Sequence, residues 1–237
     1  MKRAFAAIFL IVLFSIAAEG PIRAAAKNEA LKNGKMPAES SANKTDTLDD
    51  ILAGLDARFG QKNFSADFTQ ASTLKAMDIT DTANGRVWFM HPGKMRWEYL
   101  TPEKYAIITD GATLWIYRPA DRQVIVGDAG KYFSNGKGAS FLTDIRRIRD
   151  SFSVTIIKNT RDFCRIKLVP FKKDENITEI VIEISLPDYD IKDVVTKNAA
   201  GDETRLTFDN IRFDPKMDPA FFKFSIPPGT DILEMEQ

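Results

Sequence analysis

Residues 85 to 126 read GRVWFMHPGKMRWEYLTPEKYAIITDGATLWIYRPADRQVIV, and this stretch decides the fold. Short apolar-aromatic runs alternate with the turn signals His91-Pro92-Gly93, Thr101-Pro102-Glu103 and Asp110-Gly111, so the chain reverses direction repeatedly, as an antiparallel meander does. Met95, Trp97 and Tyr99 share one face of their strand, and Lys94, Arg96 and Glu98 share the other. Leu114 to Tyr117 is apolar on both faces, which predicts cover on both sides. The stretch carries Trp88, Trp97, Trp115, Tyr99, Tyr105 and Tyr117, more ring surface than a thin sheet needs unless one face covers a large apolar body.

Before it, Thr47-Leu48-Asp49-Asp50 has the form of a capping box. Leu48, Ile51, Leu52, Leu55 and Phe59 then recur at helical spacing up to Gly60. Asn63 to Ser72 alternates Phe64, Ala66 and Phe68 with polar residues and predicts a half-buried strand, and Lys75 to Asn84 reads as a turn-rich link. After it, residues 127–138 form a glycine-bearing loop that reads as a hinge. Phe141, Leu142, Ile145, Ile148 and Phe152 follow at helical spacing, predicting an amphipathic helix over 139–152. Strands resume over Ser153 to Lys158, Phe163 to Val169, Ile177 to Leu186, Ile191 to Lys197 and Glu203 to Phe213. The total is about eleven, which predicts an antiparallel barrel or strongly curved sheet. The prolines at 215, 219, 227 and 228 predict a short turn or helix and an extended end for the tail, not a central strand.

The chain has 237 residues with 33 basic and 33 acidic side chains, a balance without the basic excess that nucleic-acid partners favour. Met1-Lys2-Arg3, the apolar Ala4 to Ala18 and the small residues Ala24-Ala25-Ala26 predict a secretory signal peptide over 1–26. Its removal leaves 30 basic against 32 acidic residues. A flexible polar lead is expected over 27–46, and the folded domain over 47–237. No later run approaches the roughly 20 apolar residues of a spanning helix, so the mature protein is expected to be soluble and, with no cysteine near the cleavage site, to carry no lipid anchor of its own.

Catalytic chemistry finds little support. The one histidine, His91, sits at a turn, so a Ser-His-Asp arrangement is poorly served. Asn135-Gly136-Lys137-Gly138 lacks the upstream glycine and the hydroxyl of a phosphate-binding loop. A single cysteine allows neither an internal disulfide nor a cysteine zinc site, and Cys164 alternates with Ile166 and Leu168 as a small buried hydrophobe would. Arg146, Arg147 and Arg149 read as a solvated helix face, or as a basic face for a membrane surface or an acidic partner. For the aromatic face, plain barrel core competes with the wall of a cavity. Eleven strands around one space leave more room than a small barrel fills with its own side chains.

The segments Phe64-Ser-Ala-Asp-Phe-Thr-Gln70, Gly85-Arg-Val-Trp88, Pro92-Gly-Lys-Met-Arg-Trp-Glu-Tyr99, Asp110-Gly-Ala-Thr-Leu-Trp-Ile-Tyr117 and Phe222-Lys-Phe-Ser-Ile-Pro-Pro-Gly229 resemble, in order and spacing, the periplasmic outer-membrane lipoprotein carrier family, LolA. The resemblance covers nearly all of the chain after the polar lead. It implies a mainly β fold, a half-open antiparallel β-barrel under a lid of a few short α-helices. It also implies a monomeric periplasmic carrier, not an enzyme, with no cofactor and no metal. Such a carrier shields the acyl chains of lipoproteins between an inner-membrane ABC transporter and an outer-membrane acceptor.

By the same resemblance Phe68, Met95, Trp97 and Ile107 match the cavity wall or its mouth, and Phe141 and Leu142 match the lid. With Val87, Phe89, Tyr99, Ile116 and Ile145 they make up the candidate acyl-chain contacts. A family member carries an arginine before the Pro-Gly that latches the lid by hydrogen bonds; here the residue is His91, which near neutral pH offers about one donor where arginine has five. A lipid-sensing or regulatory module on the same barrel is the alternative reading, and a secreted hydrolase a more distant one.

Overall fold

Twelve strands follow one another in a single curved sheet in the order β12-β6-β5-β4-β3-β2-β1-β11-β10-β9-β8-β7. The computed structural model describes residues 46–133, 142, 145–173, 175–214 and 216–235. All lie in the second of the chain's two units, Thr45–Gln237; the expected signal peptide over 1–26 and the expected lead up to residue 45 fall outside the described residues.

The first helix, α1, spans Leu48–Phe59 with Thr47 as its N-cap. The Thr47 hydroxyl accepts from the Asp50 amide at 3.2 Å and the Asp50 carboxylate accepts from the Thr47 amide at 2.9 Å, which satisfies two otherwise orphaned donors. Ile51, Leu55 and Phe59 are its buried stripe. Gly54 lies in mid-helix, where glycine costs about 1 kcal/mol against alanine. Any Cβ there would meet the Tyr189 ring at 2.3 Å, so the glycine lets the turn before β10 lie against the helix.

The meander has β1 at Phe64–Leu74, β2 at Ile79–Met90, β3 at Lys94–Thr101, β4 at Tyr105–Thr109, β5 at Thr113–Arg118 and β6 at Gln123–Asp128. The reversals fall at the expected turn signals. The expected link 75–84 is shorter than its composition suggests, because β2 begins at Ile79 and pairs with β1 out to Leu74. Residues 79–84 are exposed or half-buried, so this projecting hairpin shows no apolar alternation. In β2, Gly85 is buried and faces Phe68 of β1 and Tyr99 of β3 in register. A Cβ at that position would stand 2.0 Å from the Glu98 carbonyl oxygen and 2.9 Å from the Phe68 ring.

A short helix α2, Ala129–Tyr132, follows β6, capped by the Asp128 carboxylate on the Lys131 amide at 2.8 Å. It occupies part of the expected glycine-bearing loop. The single helix expected over 139–152 is not what the described residues show: a 3₁₀ turn, Ile145–Arg147, runs into α3, Ile148–Ser151, and Phe152 already belongs to β7. Phe152 pairs with Pro170, and the β-branched run Val154 to Ile157 carries the strand onward.

The second half is β7 at Phe152–Asn159, β8 at Phe163–Pro170, β9 at Glu179–Ser185, β10 at Ile191–Lys197 and β11 at Glu203–Phe213. The tail supplies a 3₁₀ turn, Pro219–Phe222, and a twelfth strand, β12 at Asp231–Glu234, which pairs parallel with β6; all other strand pairs are antiparallel. The sheet ends in β12 and β7, an open and curved sheet with one more strand than expected. Among the described residues no helix is long and apolar enough to cross a membrane.

Candidate functional site: the concave face of the sheet

Strand alternation sorts the meander into rows. One row runs Val87, Trp97, Ile107, Ile116 and Ile125 across β2 to β6, and a second runs Phe89, Met95, Thr109 and Leu114. A third passes from Phe208 through Phe68 and Gly85 to Tyr99 and Tyr105. All point to the concave side. Phe68 meets Trp97 and Tyr99 edge-on, each at 4.9 Å between ring centres, and Phe64 stacks on Phe89 at 4.7 Å.

Phe68, Val87, Phe89, Met95, Trp97, Tyr99, Ile107, Ile116, Leu142 and Ile145 thus fall in one continuous apolar cluster, and none of them is more than 8% exposed. Phe141 lies outside the described residues. The cluster also takes in residues the sequence reading did not select: Ile51, Leu55 and Phe59 of α1, Ile148 of α3, and inward residues of β8 to β11 such as Ile166, Ile182, Val194 and Leu206. Helical spacing marked the residues of α1 and α3, and period-two alternation those of β8 to β11, but neither pattern says that both halves of a sheet curve over the same space. Cys164 belongs to this cluster as expected, and burial pushes its thiol up to about 11.

Two covering pieces close the concave face. Phe59 of α1 packs against Phe64 at 5.1 Å and Phe213 at 5.6 Å. The Arg58 guanidinium donates to the Asp190 carboxylate at 2.8 Å, and the Tyr189 hydroxyl donates to the Asp46 carboxylate at 3.2 Å. The segment Ile145–Ser151 lies on α1, where Arg149 of α3 pairs with Asp49 in the first helical turn. Asp46, the last residue of the expected lead, is held in place: its carbonyl also accepts from the Asn159 amide at 2.8 Å.

The aromatic load does not all face this space. Trp88, Trp115 and Tyr117 stand on the convex side and are covered by the protein's own tail. Trp88 meets Phe221 edge-on at 5.1 Å, and Tyr117 meets Phe224 at 5.0 Å. Arg96 stacks on Phe221 at 4.4 Å and donates to its carbonyl at 3.0 Å. The two-sided cover expected for Leu114 to Tyr117 is therefore present, with the tail as the second layer.

Polar groups on the concave face are few. Gln70 and Thr109 are its buried polar side chains among the described residues, joined by the phenols of Tyr99 and Tyr105. The Tyr99 hydroxyl donates to Gln70 Oε1 at 2.8 Å, and Gln70 Nε2 donates to Ser72 Oγ at 3.0 Å. Burial raises the phenols of Tyr99 and Tyr105 well above the usual tyrosine range and that of Tyr132 to about 12. Gln70 was readable: it shares the inward parity of Phe64, Ala66 and Phe68. His91 lies in the turn between β2 and β3, half-buried, where its amide donates to Asn63 Oδ1 at 3.2 Å.

The family model described as outer membrane lipoprotein carrier protein LolA matches residues 60–225. The chain belongs to the LolA family. Its relatives include an outer-membrane lipoprotein carrier protein of Chromobacterium violaceum, 30% identical over 174 residues, spanning 73% of this chain and 82% of that one. Another of the same name, from Azotobacter vinelandii, is 25% identical over 83% of this chain and 89% of that one. Among solved structures, an uncharacterized conserved protein of Thermus thermophilus has the same fold, with a TM-score of 0.52 at 12% identity, covering 79% of this chain and 98% of that one. The matched stretch runs from the end of α1 into the tail, whose Phe221 and Phe224 form the second layer over the convex face.

Proposed function

We propose that the protein is a periplasmic carrier that holds the acyl chains of lipoproteins against its concave face and moves them toward the outer membrane. The observation that carries this reading is the way that face is closed. Its apolar rows are covered by α1 and the short segment Ile145–Ser151, not by a second sheet. Small covering pieces can lift without breaking strand pairing, so the face can exchange its own cover for a ligand. Each methylene withdrawn from water is worth roughly 0.8 kcal/mol, so one long acyl chain carries on the order of 10 kcal/mol and needs such shelter in an aqueous space. Transfer requires no covalent step. The partners would be an inner-membrane lipoprotein-releasing ABC transporter as donor and an outer-membrane acceptor, with the carrier acting as a monomer.

In this reading Phe68, Val87, Phe89, Met95, Trp97, Tyr99, Ile107 and Ile116 contact the chains once the cover lifts, and Leu142 and Ile145 contact them from the cover's side. Purified mature protein mixed with matched acylated and non-acylated lipoprotein is expected to bind the acylated form alone. Equal binding of both, or of neither, would overturn the reading. In the same reading the turn residue His91 stands where the family resemblance implies a latch, so His91→Arg is expected to slow lid opening, read by hydrogen exchange at the amides of 145–151. Unchanged exchange removes His91 from the gate.

A further inference from the structure

Within the concave face the polar groups are not scattered. Gln70, Ser72, Tyr99 and Tyr105 gather where β3 ends and β4 begins, and Tyr99 and Tyr105 face each other in register with their rings stacked at 4.1 Å and 11°. This is the opposite end of β3 from the His91 turn, about 13 Å along the strand from Met95 at the usual rise per residue. The cluster is incompletely satisfied. Tyr99 spends its proton on Gln70 Oε1 and Gln70 spends a donor on Ser72, but the Tyr105 hydroxyl oxygen is shut from solvent and has no hydrogen-bond partner among the described residues. Its nearest polar neighbour is the Tyr99 hydroxyl, whose own proton goes to Gln70, and Ile107 lies two residues along the same face.

A buried hydroxyl without a partner costs stability, and a ligand that supplies an acceptor there recovers it. The phenols also keep their protons at neutral pH, since burial disfavours the phenolate. They are therefore donors. An acyl chain has no acceptor along its length; its first acceptor is the carbonyl of the bond that joins it to its head group.

Resting on the carrier reading, we propose that Tyr105, oriented by its stack on Tyr99 and backed by Gln70, donates a hydrogen bond to an ester carbonyl of a diacylglyceryl group. That sets how deep the acyl chains enter. The chains then run along the rows of Phe68, Trp97 and Ile107, and the glyceryl end stays at the β3–β4 rim. The apolar rows supply affinity, and the tyrosine supplies register, because greasy surface alone does not distinguish one depth from another.

The test uses the mature protein and four probes with the same palmitoyl or hexadecyl chains: a dipalmitoyl-S-glyceryl-cysteine peptide, dipalmitoyl phosphatidylethanolamine, and the ether-linked analogue of each without the carbonyls. Wild type is expected to bind the ester peptide about 3–10-fold more tightly than the ether peptide, the net worth of one buried hydrogen bond. Tyr105→Phe is expected to lose that preference while keeping its ether-peptide affinity. An equal preference for phosphatidylethanolamine over its own ether analogue assigns the site to glyceryl esters in general, and a preference confined to the peptide assigns it to lipoprotein. Equal ester and ether binding by wild type, or an ester preference untouched in Tyr105→Phe, overturns the proposal while leaving the carrier reading intact. Failure of wild type to bind any acylated probe overturns both.

Discussion

The two faces of β2 to β6 come from the same strands and the same alternation, yet they end in opposite circumstances. On the convex side the row Trp88, Arg96, Ile108, Trp115 and Val126 is sealed by the chain's own tail, with Phe221 and Phe224 packed on its rings and Phe222 wholly buried. On the concave side the row Val87, Trp97, Ile107, Ile116 and Ile125 belongs to a core covered by one twelve-residue helix and a few short turns. An aromatic surplus therefore says that a sheet is covered on both faces; it does not say that the second cover is foreign. Here one cover is permanent and the other is built from small parts.

If that contrast is right, damage to the two faces should separate stability from binding. The largest effect is expected at the convex seal: Phe222→Ala should cost about 3–5 kcal/mol, as for other fully buried phenylalanines. A shift of the urea midpoint checks it, and binding of the acylated peptide per folded molecule should be unchanged. A loss of binding at full folding would break the contrast.

A smaller effect is expected on the concave side from pH. The buried tyrosines have raised values, so the folded state keeps protons that the unfolded state loses. Their contribution is whole below the ordinary tyrosine value of about 10 and declines as pH rises toward and through the folded values. Urea midpoints taken from pH 8 to pH 12 should fall in wild type and fall less in Tyr105→Phe. Identical profiles would mean that Tyr105 is not buried in solution.

The smallest effect is expected from Arg149→Ala, which removes the pair to Asp49 between α3 and α1. Both side chains are largely exposed, and such pairs contribute at most about 1 kcal/mol. The global midpoint should barely move, while hydrogen exchange at 145–151 should quicken. No local change would assign the closure to Ile145 and Ile148 alone.

Much of the architecture was legible in local pattern. The capping box at Thr47, the stripe of α1, the three reversals of the meander and the inward parity of Met95, Trp97 and Tyr99 each follow from residues close in sequence. The projecting part of β2 was not, because residues 79–84 contact too little core to need apolar alternation. β12 was hidden for a similar reason: its four residues are all exposed, and only backbone pairing with β6 makes them a strand. The helical spacing from Phe141 to Phe152 predicted burial correctly for Leu142, Ile145, Ile148 and Phe152, but not that Phe152 would belong to the sheet. Burial on a helix face and at a strand start look alike over so short a span.

By itself, then, the sequence determined which side chains share a face, where the chain turns and to which family it belongs, since these depend on parity, turn chemistry and motif order. Tertiary structure decided what lies on each face. The tail claims the convex rings of Trp88, Trp115 and Tyr117, Trp97 and Ile107 join one core with α1 and the inward residues of β8 to β11, and Tyr105 comes to rest against Tyr99 with its hydroxyl shut from solvent. Each is a contact between residues distant along the chain or across a register, and local periodicity carries no information about such distances.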